Sequence, residues 1–215
     1  MSQFKYYRPN NFPPIVKNLI IINVLVWVAQ LVLDPKIGLT DKLALYPIDS
    51  PWFHPYQIAT HMFAHAAYAG RSIVFYHILF NMFALWMFGR ILENVWGGKR
   101  FLVFYLVCGV GAAVVHLAVE HFTGGGSAAV GASGAIMGIF AAFAFLFPNT
   151  ELFILFIPFP IKAKWAVIGL AAIDLFGGLS RMSGDNVAHF AHLGGALTGI
   201  ILVLIWNKTN RKTFY

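Results

Sequence analysis

Ser133 stands in Gly131-Ala132-Ser133-Gly134, a small-residue turn that closes the loop Gly124-Gly125-Gly126 and opens the apolar run Ala135 to Phe147. Two readings compete for it: small residues that let helices pack closely, or a serine nucleophile. A serine needs a base to attack near neutral pH, and histidine is the usual one. The candidate bases are His192 and His189, three residues apart near the start of the last apolar run. His77 and Asn81, at i and i+4, lie on one helix face and can both donate hydrogen bonds to a single point. The plain alternative for that pair is a polar seam between helices. Together these residues have the types that acyl transfer requires: a nucleophile, a base and donors for a developing oxyanion.

The elements that must position them are set by composition. Of 215 residues 59% are hydrophobic and only 11% charged, and the mean hydropathy is +0.72, far too apolar for an ordinary soluble domain. An all-α membrane protein is expected, with one membrane-embedded unit and no separate soluble domain. The net charge of +7 is spread in twos and threes beside apolar runs instead of on one face, so it reads as topology signal and no nucleic-acid partner is expected. Cys108 is the lone cysteine, which excludes an intramolecular disulfide. Residues 1 to 14 lack the pattern of a cleavable signal peptide, so the first membrane helix is expected to direct insertion.

Six spans are expected: Asn18 to Leu33, Ser72 to Gly89, Phe101 to Val119, Ser133 to Phe147, Trp165 to Leu179 and Val187 to Trp206. The connection from Asp34 to Arg71, with Tyr46, Trp52, Phe53 and Tyr56, suits a partly folded element at the membrane surface. Phe153 to Pro160 is short and broken by proline, so it reads as an interfacial loop. The domain limits are a short segment 1–17, a six-helix membrane domain 18–206 and a basic tail 207–215. Eleven basic residues fall on the side of the termini and four, Lys36, Lys42, Arg71 and Arg181, on the other. Both termini are therefore expected in the cytoplasm.

With that topology the second, fourth and sixth spans run in one direction, and depth can be counted back from their cytoplasmic ends. Ser133 lies 14 residues above Phe147, His192 14 above Trp206 and His77 13 above Arg90, each about 20 Å of helix. Three polar groups thus share one level, about 10 Å below the outer surface of a roughly 30 Å slab. A functional site is the default reading of polar groups at such depth. The run that starts at Ser133 is too short to span, and its N-terminus offers free backbone N–H groups. Gly134 and Gly138 in the fourth span, and Gly195 and Gly199 in the sixth, are each spaced by four, so these two helices are expected to approach closely. No acid is read at the level of Ser133, so a dyad of Ser133 and His192 is expected. His189, one turn nearer the outer surface, is expected to be a solvated interfacial residue. Asp174 has no evident partner in the sequence, and structural and gating roles weigh equally for it.

Gly131-x-Ser133-Gly134, His77-x-x-x-Asn81 and Ala191-His192-x-Gly194-Gly195 in a six-helix chain resemble the rhomboid family of intramembrane serine proteases. Glu93-x-x-Trp96-Gly97-x-x-Arg100 and Pro158-x-Pro160-Ile161-Lys162 look like its bacterial members. The resemblance covers nearly all the chain after about residue 15. It implies cleavage of transmembrane protein substrates near the outer face, with Ser133 as nucleophile, His192 as base and His77 and Asn81 as oxyanion donors. It implies no cofactor and no metal, and a bacterial cytoplasmic membrane as the location; oligomeric state is left open. Two departures stand out: a longer connection between His65 and His77, and Met137 where some members have an aromatic that packs on the base. A thioether can fill that space.

Other classes fit less well. His61-x-x-x-His65 has the helical spacing of two metal ligands, but no glutamate follows the first histidine to act as base. A non-catalytic relative would lack the serine or the base. A small transporter would be expected to show an inverted internal repeat, and none is evident.

Overall fold

The computed structural model describes residues 9–153, 158–180 and 187–209. Helix α1 (Pro14–Ile37) starts on a proline at its first position, where the missing N–H has no intrahelical partner to lose. The N–H groups of Ile15 and Val16 donate instead to the Glu93 carboxylate, at 2.9 and 2.7 Å. Gly38, at φ 60°, ends the helix. The connection from Asp34 to Arg71 then folds as two short helices, α2 (Leu39–Leu43) and α3 (Gln57–Thr60), and a 3-10 turn at His61–Phe63. Strands β1 (Tyr68–Ala69) and β2 (Ser72–Ile73) pair antiparallel, so the longer His65 to His77 connection is a small hairpin.

The second span starts later and ends later than its charge-free run. Helix α4 (Tyr76–Ala84) passes through a π turn at Leu85–Gly89 into α5 (Arg90–Trp96), with no break at Arg90. Glu93 can continue the helix because its buried carboxylate is neutralised by the first turn of α1. Gly97, at φ 79°, makes the turn into α6 (Gly98–Thr123), which extends beyond the expected Phe101 to Val119 at both ends. Helix α7 (Ser133–Leu146) follows the glycine loop. Strands β3 (Glu151–Leu152) and β4 (Ile161–Lys162) pair across the expected interfacial loop, of which 154–157 lie outside the described residues. Helices α8 (Ala163–Ser180) and α9 (His189–Thr209) complete the described chain; 1–8 of the N-terminal segment and 210–215 of the tail also lie outside it.

Among the described residues, five helical stretches are long and apolar enough to cross a membrane: Pro14–Ile37, Tyr76–Trp96, Gly98–Thr123, Ala163–Ser180 and His189–Lys208. Ser133–Leu146 is a shorter apolar helix. It is also the most enclosed, with every residue from Gly134 to Ala144 buried. The peripheral helices expose large apolar side chains such as Leu25, Ile173 and Phe176, as a hydrocarbon surrounding allows. This is an all-α membrane protein built around α7. Helices α7 and α9 meet backbone to backbone: a Cβ at Gly199 would sit 2.6 Å from the Gly138 carbonyl oxygen, and one at Gly195 would collide with the Gly134 carbonyl. The close approach expected from the paired glycines is present.

Candidate active site

Ser133 is the first residue of α7, preceded by Ala132 in helical conformation with no side-chain cap. The first-turn N–H groups of the helix therefore have no acceptor from the cap side chain and form the positive end of the helix dipole. Gly131 makes the turn at φ 122°, a region that favours glycine, and its N–H donates to the His61 carbonyl at 2.9 Å. Ala129 pairs with Leu45 through two backbone hydrogen bonds of 2.9 Å. The loop that carries the serine is thus tied to the Asp34 to Arg71 connection at two points.

His192 comes from the second turn of α9. Its Nε2 lies 2.8 Å from Ser133 Oγ, and its Nδ1 lies 2.9 Å from Asp174 Oδ1. The expectation that no acid shares this level is corrected here: Asp174 projects from α8 into the same cluster. The reason is directional. Depth counted only on the second, fourth and sixth spans omits α8; counted up from Ala163, Asp174 is eleven residues in, about 16 Å of helix. His189 is corrected as well. Its side chain is 12% exposed and its Nδ1 lies 2.8 Å from the same Asp174 Oδ1, so it is largely covered and paired with α8 instead of standing in solvent at the interface.

His77 occupies the start of α4. The Ala66 N–H donates to its Nδ1 at 3.1 Å, which leaves the ring proton on Nε2. That Nε2 borders Gly131: a Cβ built there would lie 3.0 Å from His77 Nε2 and 3.7 Å from Ser133 Oγ. A side chain at position 131 would fill the space between donor and nucleophile. Asn81 is buried, and its Nδ2 donates to the His77 carbonyl at 2.8 Å. One of its two amide hydrogens is thereby engaged on its own helix.

A family model described as Rhomboid domain matches residues 53–208. The chain belongs to the rhomboid family. A presenilin-associated rhomboid-like protein, mitochondrial, from Bos taurus is 36% identical over 139 residues, which is 62% of this chain and 36% of that protein. Rhomboid-like protein 11, chloroplastic, from Arabidopsis thaliana is 33% identical over 176 residues, 78% of this chain and 57% of that protein. Rhomboid protein 1, mitochondrial, from Saccharomyces cerevisiae is 30% identical over 129 residues, 59% of this chain and 37% of that protein. This rhomboid chain therefore spans about a third to rather more than half of these relatives. It is a multi-pass membrane protein. The relatives' names point to mitochondria and the chloroplast and lend no support to a bacterial cytoplasmic membrane.

In this rhomboid the connection from Asp34 to Arg71 is fastened to α1 and packs against α4 beside the site. Gln30 of α1 grips His65 on both sides, accepting its N–H at 3.0 Å and donating to its carbonyl at 2.8 Å. The His65 ring is fully buried and meets the His77 ring edge-on, with centroids 5.2 Å apart. His61 Nδ1 lies 2.9 Å from the Gln57 carbonyl. Burial lowers the pKa of His61 to about 4 and that of His65 to about 3, so both rings are neutral near pH 7. The two histidines of the metal-like spacing thus sit where the Asp34 to Arg71 connection meets α1, α4 and the Gly131 turn. Beside the site, His116, Glu120, Ser127, Ala188 and His189 line a cavity of about 220 Å³ between α6, α8 and α9.

Proposed function

We propose that this chain is an intramembrane serine endopeptidase that cleaves transmembrane protein substrates near the outer face of the bilayer. The observation that carries the reading is the 2.8 Å contact between His192 Nε2 and Ser133 Oγ at the uncapped N-terminus of α7. Ser133 Oγ attacks the scissile carbonyl carbon as its proton passes to His192 Nε2, and the carbonyl oxygen becomes an oxyanion. The Ser133 N–H, His77 Nε2–H and the second amide hydrogen of Asn81 are the donors that stabilise it. The C–N bond then breaks, His192 returns the proton to the leaving amine, and water hydrolyses the acyl-serine by the same path in reverse. The domain is read as 18–206, with six spans and both termini in the cytoplasm.

A fluorophosphonate probe and a single-pass model substrate test this reading. Wild-type protein is expected to label at one serine and to cleave. Ser133→Ala is expected to abolish both, and His192→Ala to lower cleavage by at least about 10³-fold, each with the fold retained in detergent. Substantial cleavage by either variant overturns the assignment.

A further inference from the structure

We propose that Asp174 is a positioning residue for this reaction: its carboxylate, held in place by His189, fixes His192 in the tautomer that takes the Ser133 proton. The inference rests on the serine endopeptidase reading and extends it by one group and one helix.

The hydrogen-bond directions follow from donor chemistry. An ionised carboxylate only accepts, and Asp174 Oδ1 lies 2.8 Å from His189 Nδ1 and 2.9 Å from His192 Nδ1. Both Nδ1 atoms therefore carry protons. A neutral His192 protonated at Nδ1 has a free lone pair on Nε2, the atom 2.8 Å from Ser133 Oγ. The opposite tautomer would place a proton on Nε2 and block the transfer. Asp174 thus decides which ring nitrogen faces the nucleophile.

The surroundings of Asp174 point the same way. Its neighbours Ile173, Leu175 and Phe176 are all exposed on the lipid side, whereas the Asp174 side chain is 9% exposed and turned toward α9. Along α8 only Ala163, Ala166 and Asp174 are buried. An acid at this depth is unfavourable without partners, and here it has two. One turn further on, α8 is notched to receive the α9 rings: a Cβ at Gly177 would lie 2.5 Å from the His189 ring, and one at Gly178 2.7 Å from the Phe190 ring. Gly177 leaves room for the His189 ring beside the carboxylate that His192 also contacts.

During attack His192 becomes an imidazolium faced by Asp174 from α8, His189 on its own helix, Ser133 from α7 and His77 from α4. Asp174 is the anion among them. It stabilises the charge without taking the proton, which stays on His192 until the amine leaves.

Histidine ¹⁵N NMR of the wild-type protein in detergent, with His192→Gln used for assignment, tests the tautomer directly. The Nδ1-protonated form of His192 is expected; the Nε2-protonated form overturns the proposal whatever the variants do. Asp174→Asn is expected to lower kcat by on the order of 10²- to 10⁴-fold with KM changed less than about threefold. Fluorophosphonate labelling should slow in parallel, and Asp174→Glu should recover part of the rate. His189→Ala, which leaves the carboxylate one donor short, should cost only about 10-fold. Turnover of Asp174→Asn within about threefold of wild type overturns the proposal. So does a defect confined to KM or to the folded fraction. Should Ser133→Ala itself keep cleaving, the endopeptidase reading fails instead, and the two failures are told apart.

Discussion

Asn81 donates one amide hydrogen to the His77 carbonyl at 2.8 Å, which aims the remaining one without closing it off. An interaction made only when the oxyanion forms lowers kcat and leaves KM nearly unchanged. Asn81→Ala is therefore expected to turn over on the order of 10²- to 10³-fold more slowly and still label with a reactive phosphonate, since Ser133 and His192 remain. A rise in KM alone would assign Asn81 to substrate binding. Residue type and depth were enough to bring Ser133, His192 and His77 to one level from the sequence, because each lies on a helix counted in the same direction. Asp174 escaped that count because it sits on a helix that runs the other way. His189 was misplaced for a related reason: a position near the end of a span does not reveal a neighbouring helix that covers it. Contacts between α8 and α9 join residues 15 and 18 apart in sequence, and no local pattern records them.

Helix α7 is held by glycine contacts, and these were legible as a spacing of four on two different spans. At Gly195 a methyl group would meet the Gly134 carbonyl, so accommodating it requires α9 to move away from α7. The displaced helix carries the base and the fixed one the nucleophile. Gly195→Ala is expected to reduce stability by about 1–3 kcal/mol and to lose most cleavage. Gly169→Ala is the control: on α8 nothing lies within 4 Å of the added carbon, so its activity should match wild type and its unfolding midpoint should be no lower. Equal thermal midpoints and rates for the two variants would remove the close contact as the device that aligns the site. The continuation of the second span to Trp96 was less legible. Arg90 and Glu93 read as the end of a membrane run, yet Glu93 is buried against the first turn of α1, 77 and 78 residues away. A charge marks a span's end only where nothing distant neutralises it.

For the molecule as a whole, fold class was legible because hydrocarbon demands long apolar helices and the composition declares them. Orientation rests on the eleven-to-four distribution of basic residues. With Cys108 replaced by alanine, a cysteine at Asn207 is expected to resist an impermeant reagent added from outside, and its modification would reverse the topology. The Asp34 to Arg71 connection, by contrast, is legible only as a partly folded element, because its order depends on Gln30 gripping His65 across 35 residues. Burying that connection makes stability depend on pH. In the unfolded chain His61 and His65 take up protons near the ordinary histidine value of 6.5; in the folded protein burial holds them neutral down to about 4 and about 3. Between those limits the unfolded state binds more protons, so stability rises with pH. Their full contribution is present above about pH 6.5 and is withdrawn as pH falls toward 4. The unfolding midpoint in detergent is therefore expected to drop between pH 7 and pH 4.5. His65→Phe retains a ring beside His77, where the two rings now meet edge-on, and removes the titrating group. That variant should show a visibly shallower decline than wild type. Parallel pH curves for the two proteins would mean that His65 does not bind its proton differentially, and the connection would owe its pH sensitivity to other groups.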